Sequence, residues 1–253
     1  MPLDIAQFPC LADNYGYLVH DAASGETIAI DTPDAEAYLA EATRRGWRIT
    51  QIWNTHWHAD HAGGNLAIKA AMPGCRISAP AGDAARIAGV DRAVDQGDTL
   101  ALGAFGAQVI NVGGHTLGHV AYYLPEAGVA FVGDALFALG CGRMFEGTPE
   151  QFWASLARLK ALPADTLLYC AHEYTQGNAR FAAHVDPGNA ALAAYVAEVA
   201  ERRAQGLATV PFPLARELAC NPFLRADEPA FAAAWGDTPA SAFAALRLAK
   251  DQF

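Results

Sequence analysis

The sequence has no stretch that approaches eighteen uninterrupted apolar residues, which is about the length that a membrane-spanning helix requires. Its first five residues carry no basic segment followed by an apolar run, which is the pattern that begins a secretory signal. We therefore expect neither a membrane span nor a secretory leader.

Positive charge is scarce, since 17 lysines and arginines stand against 27 aspartates and glutamates, for a net charge of −10. A protein that binds nucleic acid without regard to sequence needs a basic surface. We therefore expect no nucleic-acid partner. A local basic pocket remains compatible with this overall charge.

The cysteines also lack any pattern of their own. They are odd in number, scattered and without a Cys-x-x-Cys pair: Cys10, Cys75, Cys141, Cys170 and Cys220. This usage indicates reduced thiols rather than a disulfide framework, and it predicts a cytoplasmic protein.

The chain has 253 residues, of which 53% are hydrophobic and 17% are charged. This composition is that of a globular protein with a substantial core. Short β-rich segments dominate up to about residue 170, with helices predicted over 34–45 and 149–162. The later part turns alanine-rich, with helical spacing over 189–205 and 241–250. We therefore predict one domain over 1–173 and a helical second domain over 174–253, packed on the first.

Residues 55–64, with the sequence THWHADHAGG, place three of the eight histidines and one aspartate within six positions. The segment before them, 49–54, predicts a buried strand, and the segment after them predicts a helix. The cluster therefore lies on a strand-to-helix loop, where α/β folds commonly carry function. Imidazole and carboxylate bind zinc, iron and manganese alike.

Three later residues with metal-binding side chains, His115, Asp134 and His172, each lie at the end or mouth of a predicted strand. The total becomes five histidines and two aspartates. One metal needs only three or four protein ligands, so this set predicts two metals. Asp31 and His119 are expected to support neighbouring side chains rather than to bind metal.

The ordered set, His-x-His-x-Asp-His followed by a lone His, a lone Asp and a lone His, resembles the metallo-β-lactamase superfamily. The resemblance implies an αββα sandwich, here followed by a smaller all-α C-terminal domain, so the fold class is α+β. Within the superfamily the chain is most similar to the glyoxalase II, or hydroxyacylglutathione hydrolase, family. The segments that carry this likeness run to the last residue: 133–137, 140–148, 171–175, 184–189, 221–225 and 250–253.

The resemblance also implies roles for the metal-binding residues. One metal would be held by His56, His58 and His115. The other would be held by Asp60, His61 and His172, and Asp134 would bridge the two. Asp60 and Asp134 are accordingly the implied catalytic carboxylates, acting with a metal-bridging hydroxide. We expect two divalent metals in each chain, zinc first, with iron or manganese as alternatives.

The resemblance implies that four residues grip the glutathione part of a substrate: Arg143, Tyr174, Arg247 and Lys250. Two departures from the family pattern concern this group. Arg143 stands where many members have lysine, and Phe145 stands where some members have tyrosine.

The activity implied by the resemblance is hydrolysis of the thioester S-D-lactoylglutathione, and of related 2-hydroxyacyl-glutathiones, to D-lactate and glutathione. This is the second step of methylglyoxal detoxification. The alternative is another metallo-β-lactamase-fold hydrolase, or a persulfide dioxygenase, that acts on a glutathione-linked substrate. We expect a small-molecule partner only, and a monomer.

Overall fold

The computed structural model describes residues 3–253, which divide into two compact units. The first unit contains the described residues up to 111 together with 116–133, and the second contains 112–115 and 134–253. The chain therefore passes between the units at three points. Each unit carries part of the predicted metal-binding set.

The first unit is mainly β-sheet. Its strands are β1 (Asp4–Cys10), β2 (Asn14–Asp21), β3 (Glu26–Ile30), β4 (Gln51–Trp53), β5 (Arg76–Pro80), β6 (Arg92–Val94), β7 (Thr99–Leu102), β8 (Phe105–Asn111), β9 (Val120–Leu124) and β10 (Val129–Gly133). Its α-helices are α1 (Ala35–Arg45), α2 (Ala59–Ala62) and α3 (Asn65–Ala71), and two 3₁₀ turns cover Ala84–Arg86 and Pro125–Ala127.

Strands β1 to β6 form one sheet in chain order. The first three strands are joined by antiparallel pairing, whereas β3 to β6 are parallel to their neighbours. The crossovers that parallel pairing requires include α1 between β3 and β4, and α2 and α3 between β4 and β5. The histidine-rich loop thus follows the C-terminal end of β4, as the sequence predicts.

Strands β7 to β10 pair in antiparallel order as a meander. The meander and the first sheet bring aromatic side chains together. The Trp53 and Tyr122 ring centroids lie 5.3 Å apart, and those of Tyr17 and Phe131 lie 5.6 Å apart. Within this unit, therefore, aromatic side chains of the two sheets pack against each other.

Helix α1 covers the other face of the first sheet. Its Tyr38 and Ala42 are fully buried in a cluster with residues such as Leu18 and Ile52. The helix begins where the Asp34 side chain accepts hydrogen bonds from the first-turn amides, and it ends at Gly46 in the left-handed conformation. The sequence predicted both boundaries.

The second unit is mainly helical. Its helices are α4 (Pro149–Lys160), α5 (Thr175–Val185), α6 (Ala190–Ala204), α7 (Leu214–Cys220), α8 (Pro229–Ala232) and α9 (Pro239–Gln252). Its short strands are β11 (Leu136–Phe137), β12 (Gly140–Cys141), β13 (Leu167–Cys170) and β14 (Phe212–Pro213), and they form the pairs β11–β12 and β13–β14.

Aromatic and aliphatic contacts hold these helices together. Phe152 of α4 meets Phe243 of α9 edge to face at 5.3 Å, and Phe181 of α5 stacks on Phe223 at 5.9 Å. Helix α4 begins with a capping box made by Thr148 and Gln151. Helix α9 starts two residues before its predicted range and runs two residues beyond it.

The sequence pattern missed several short elements and one long one. Strand β1 and helix α5 were not predicted, and neither were β6, β11, β12 and β14. Helix α5 was missed because its apolar positions are interrupted by Gly177 and Asn178, which weaken the helical signal.

All five cysteines lie within the described residues, where each is buried and outside any disulfide. Over residues 3–253, no helix combines the length and the apolar character needed to cross a membrane.

Candidate metal centre and its surroundings

Buried side-chain amides fix the conformation of the histidine-rich loop that follows β4. Asn54 Nδ2 donates to the carbonyl oxygen of His61 at 2.9 Å and to Asn65 Oδ1 at 3.2 Å. Thr32 donates to the same Asn65 oxygen at 2.6 Å. These contacts close the loop on itself, and His58 then precedes the first residue of α2.

The donor atoms in this loop lie at the spacing of ligands on a metal. His56 Nε2 and His58 Nδ1 are 2.9 Å apart, and His61 Nε2 lies 3.6 Å from Asp60 Oδ2. Two ligand atoms on one tetrahedral metal with bonds of about 2.0–2.1 Å are about 3.3 Å apart. Asn14 donates to both the backbone and the carboxylate of Asp60, which orients that side chain.

Asp31 supports the same loop from the end of β3. Its Oδ2 lies 2.8 Å from His61 Nδ1, and its Oδ1 accepts the backbone amide of Thr55 at 2.7 Å. The contact to Nδ1 leaves Nε2 of His61 available to a metal. Asp31 has a φ of 52°, a conformation that aspartate tolerates better than most residues do. It therefore lies where a supporting residue was expected.

Replacing Asp31 by alanine should weaken metal binding by about 10- to 100-fold, because the partner that orients His61 is lost. Asp31→Asn, which suits the same backbone conformation and keeps the polar shape, should lose less. Competition with a chromophoric chelator measures the affinity. Asp165→Ala removes an exposed carboxylate elsewhere and serves as the control. An unchanged affinity in Asp31→Ala would contradict the supporting role.

In the second unit, Asp134 lies between two imidazoles. Its Oδ2 is 3.5 Å from His115 Nε2, and its Oδ1 is 3.4 Å from His172 Nε2. His115 Nδ1 lies 2.9 Å from the backbone carbonyl oxygen of Arg143, so this nitrogen carries the proton and Nε2 is left for a metal. A carboxylate that turns one oxygen toward each of two candidate ligand rings is oriented as a metal bridge would require.

Gly142 permits this arrangement because it has no side chain. A β-carbon at this position would overlap the carbonyl oxygen of Asp134 and lie 3.1 Å from His115 Nδ1. The preceding strand β12 and this glycine thus bring Arg143 up to the His115 ring. The backbone of the Gly-Cys-Gly segment therefore lies close to Asp134 and His115.

All seven predicted ligands occur in groups of histidine and aspartate that could hold a metal ion. Within each unit, the spacing and the ring-nitrogen assignments fit metal binding. The residues present therefore suit the divalent cations predicted from the sequence. His119, also buried, stacks on His56 with ring centroids 4.7 Å apart, which is a supporting position.

The second unit also contains the four residues predicted to contact a substrate. Tyr174 is 41% exposed, and its ring stacks on His172 at 4.7 Å with an interplanar angle of 2°. Arg143 is exposed, and Lys250 is half-buried with its Nζ donating to the Gly177 carbonyl oxygen at 3.1 Å.

Arg247 differs from the other three because it is buried, with 5% of its surface exposed. Its guanidinium donates to the carbonyl oxygen of Cys141 at 3.0 Å and to Asp251 at 2.8 Å. These contacts tie the end of α9 to strand β12. A direct substrate contact by Arg247 stays a prediction.

Two family models match consecutive parts of the chain. The metallo-beta-lactamase superfamily matches residues 16–172, and the hydroxyacylglutathione hydrolase C-terminus matches residues 173–253. The hydroxyacylglutathione hydrolase of Erythrobacter litoralis is 62% identical over 99% of this chain and 100% of its own length. That of Ruegeria pomeroyi is 49% identical over the whole of both chains. The chain belongs to the hydroxyacylglutathione hydrolase family.

Solved structures support the fold of this family member. ETHE1 from Myxococcus xanthus superimposes with a TM-score of 0.67 at 24% identity, covering 99% of this chain and 98% of that one. TTHA1623 in a di-iron-bound form matches with a TM-score of 0.56 at 30% identity, over 67% of this chain and 91% of that one. The predicted fold class is confirmed, namely an α+β chain with a metallo-β-lactamase domain and a helical C-terminal part.

Sequence reasoning missed a buried polar group in this family member. Glu217 of α7 is fully buried and accepts hydrogen bonds from the Leu139 amide, Asn221 Nδ2 and the Tyr195 hydroxyl. Asn221 donates in turn to the carbonyl oxygens of Phe137 and Gly140. These contacts hold the β11–β12 hairpin between Asp134 and Arg143. A glutamate within α7, followed four residues later by an asparagine at the C-terminal cap of the helix, is the signal that could have identified it.

Proposed function

We propose that this protein hydrolyses the thioester of S-D-lactoylglutathione, releasing D-lactate and glutathione. The observation that carries the proposal is the end-to-end likeness to curated hydroxyacylglutathione hydrolases, at 48–62% identity. The alternative enzymes on this fold are not favoured, because these relatives share one activity and the C-terminal family model matches as well.

The proposed metal assignment follows the family motif. His56, His58 and His115 would hold one divalent cation. Asp60, His61 and His172 would hold the other, with Asp134 between them. Zinc is our first choice for both. Two such cations supply an activated water at neutral pH and polarise the thioester carbonyl.

The chain's own contribution is to orient these ligands and to hold the substrate. Asp31 and the Arg143 carbonyl fix which nitrogen of His61 and of His115 is available. The leaving thiolate has a pKa near about 8.5 in solution, so it departs without a dedicated general acid. Glutathione carries two carboxylates, for which Arg143 and Lys250 are suitable charge-assisted donors. Tyr174 would lie beside them.

The test is hydrolysis of S-D-lactoylglutathione by the purified protein, followed as loss of thioester absorbance, with metal content measured on the same sample. We expect rapid hydrolysis with close to two metals per chain. If the protein holds two metals but does not hydrolyse the thioester, the substrate assignment is wrong and the proposal of a two-metal site stands. The division of roles between 1–173 and 174–253, a monomeric state and a cytoplasmic location remain predictions.

Lys250 should make substrate binding depend on pH. Burial, together with the charges of Arg247, Arg180 and Arg143, lowers the pKa of Lys250 to about 8. Because only the ammonium attracts a carboxylate, KM should rise as the pH passes through about 8. Lys250→Met should have a KM about three- to tenfold higher at pH 7 and lose that rise, with kcat little changed. A wild-type KM in Lys250→Met at pH 7 would remove this residue from the substrate site.

A further inference from the structure

Two basic side chains lie close to Gly177 of α5. Lys250 Nζ donates to the carbonyl oxygen of Gly177 at 3.1 Å. On the same turn, a β-carbon on Gly177 would meet Arg180 Nη2 at 3.7 Å. Arg180 therefore lies near Lys250, one of the substrate residues predicted from the sequence, although no motif pointed to it.

Acidic neighbours balance only part of the positive charge around this turn. Arg247 is paired with Asp251. Over residues 3–253, the exposed side chains of Arg143 and Arg180 form neither an ion pair nor a hydrogen bond. The charges of Arg247, Arg180 and Arg143 all help to lower the pKa of Lys250, after burial. Such a concentration of like charge, on a protein with a net charge of −10, is typical of a site for an anion.

The arginines of this cluster differ in whether their guanidinium groups are available to bind a carboxylate. Glutathione presents two carboxylates, and a guanidinium binds a carboxylate through two parallel hydrogen bonds. Arg247 already donates to Cys141 and Asp251. Arg143 and Arg180 are the two guanidinium groups of the cluster that remain available, so each can join Lys250 in binding a carboxylate.

We propose that Arg180 binds one of the two carboxylates of the glutathione moiety and so helps to determine specificity for glutathione thioesters. The proposal rests on the proposed function for its ligand. It adds Arg180 to the four residues that the sequence resemblance implies for the glutathione moiety.

The first arm of the test is kinetic. Arg180→Ala should raise KM for S-D-lactoylglutathione about three- to tenfold, between the effect of an exposed ion pair and that of a bidentate contact. The kcat should stay within about twofold, since the contact is shared by the ground and transition states. Arg180→Lys should recover part of the loss. Arg76→Ala removes an exposed arginine of the first unit and should leave KM unchanged.

The second arm measures binding without turnover. Calorimetry compares S-methylglutathione with its glycine ester and with its γ-glutamyl α-carboxamide, each titrated into wild type and Arg180→Ala. If Arg180 binds a carboxylate, Arg180→Ala should bind S-methylglutathione more weakly than the wild type does. The two proteins should bind the derivative that lacks that carboxylate with the same affinity. The insensitive derivative then identifies which carboxylate it binds.

The outcomes separate the two proposals. If the wild type hydrolyses no S-D-lactoylglutathione, the proposed function fails, while the calorimetric arm still decides the role of Arg180. If the wild type is active and Arg180→Ala has the wild-type KM and affinity, the inference about Arg180 is overturned and the proposed function stands. An equal loss of affinity for all three ligands would also overturn it, since it would indicate a general charge effect.

Discussion

Replacing Asp134 by asparagine should lower kcat/KM for S-D-lactoylglutathione by more than about 100-fold, the upper end of the range for loss of a residue that merely supports a metal ligand. Asparagine keeps the shape of the side chain but removes its charge and one of its two oxygens. In the structure these oxygens face different rings, at 3.4 Å from His172 and 3.5 Å from His115. The variant therefore loses the group that would join the two metals.

Metal content and steady-state kinetics on the same samples measure this effect. We expect Asp134→Asn to contain clearly fewer than two metals per chain while keeping its far-UV circular dichroism. Asp165→Asn neutralises an exposed carboxylate on a loop of the same unit and should behave as the wild type. Full metal content together with normal turnover in Asp134→Asn would refute the bridging role.

Replacing Glu217 by alanine should lower the free energy of unfolding by about 3 kcal/mol or more, at about 1–3 kcal/mol for each buried donor left without an acceptor. The carboxylate is fully buried and accepts from the Leu139 amide at 2.7 Å, from Asn221 Nδ2 at 2.9 Å and from the Tyr195 hydroxyl at 3.2 Å. Truncation also leaves a cavity, which adds to the loss.

The same carboxyl group should make stability depend on pH. Burial outweighs the hydrogen bonds and raises the pKa of Glu217 to about 7, whereas in the unfolded chain it is about 4.3. Between these values the folded protein binds more protons than the unfolded chain does. The contribution of Glu217 is therefore fully present below about pH 4.3 and is lost as the pH rises through about 7. Glu217→Gln stays neutral at every pH, so its stability should not show this pH dependence. Its unfolding free energy should fall less than that of Glu217→Ala.

Urea unfolding at pH 5 and pH 8 distinguishes these effects. The difference in unfolding free energy between the two pH values should be smaller in Glu217→Gln than in the wild type, and Glu217→Ala should be destabilised at both. Glu126→Ala, at an exposed site in the first unit, is the control. Wild-type stability of Glu217→Ala at both pH values would show that the network contributes little.

The candidate metal ligands were the part of the site most accessible from sequence. His56, His58, Asp60 and His61 fall within six residues, so a single loop brings them together whatever the rest of the fold does. Asp134 and His172 were found from a weaker signal, because each follows a buried strand. A residue that directly follows a buried strand lies at an edge of the sheet, where α/β folds bind ligands, which makes such positions predictable from β-patterning.

The substrate contacts were harder to predict from the sequence, because they depend on the directions that long side chains take in the folded protein. Arg247 and Lys250 lie three residues apart on α9, yet one guanidinium is buried against Cys141 and the other side chain reaches Gly177. No local spacing distinguishes these two outcomes. Helix α5, which contains Gly177 and Arg180, was not predicted at all, so its basic side chain could not be assigned to the site.

The sequence by itself determined the loop of metal ligands and the change to a helical C-terminal part, since both depend on local composition and periodicity. The ordered metal-binding motif carried the resemblance that implied the α+β class and the chemistry. The tertiary structure alone decided the supporting contacts. It placed Asp31 against His61, turned the two oxygens of Asp134 toward different rings and buried Glu217 beneath the β11–β12 hairpin. These arrangements join residues up to 78 positions apart, and such contacts arise only when distant segments pack together.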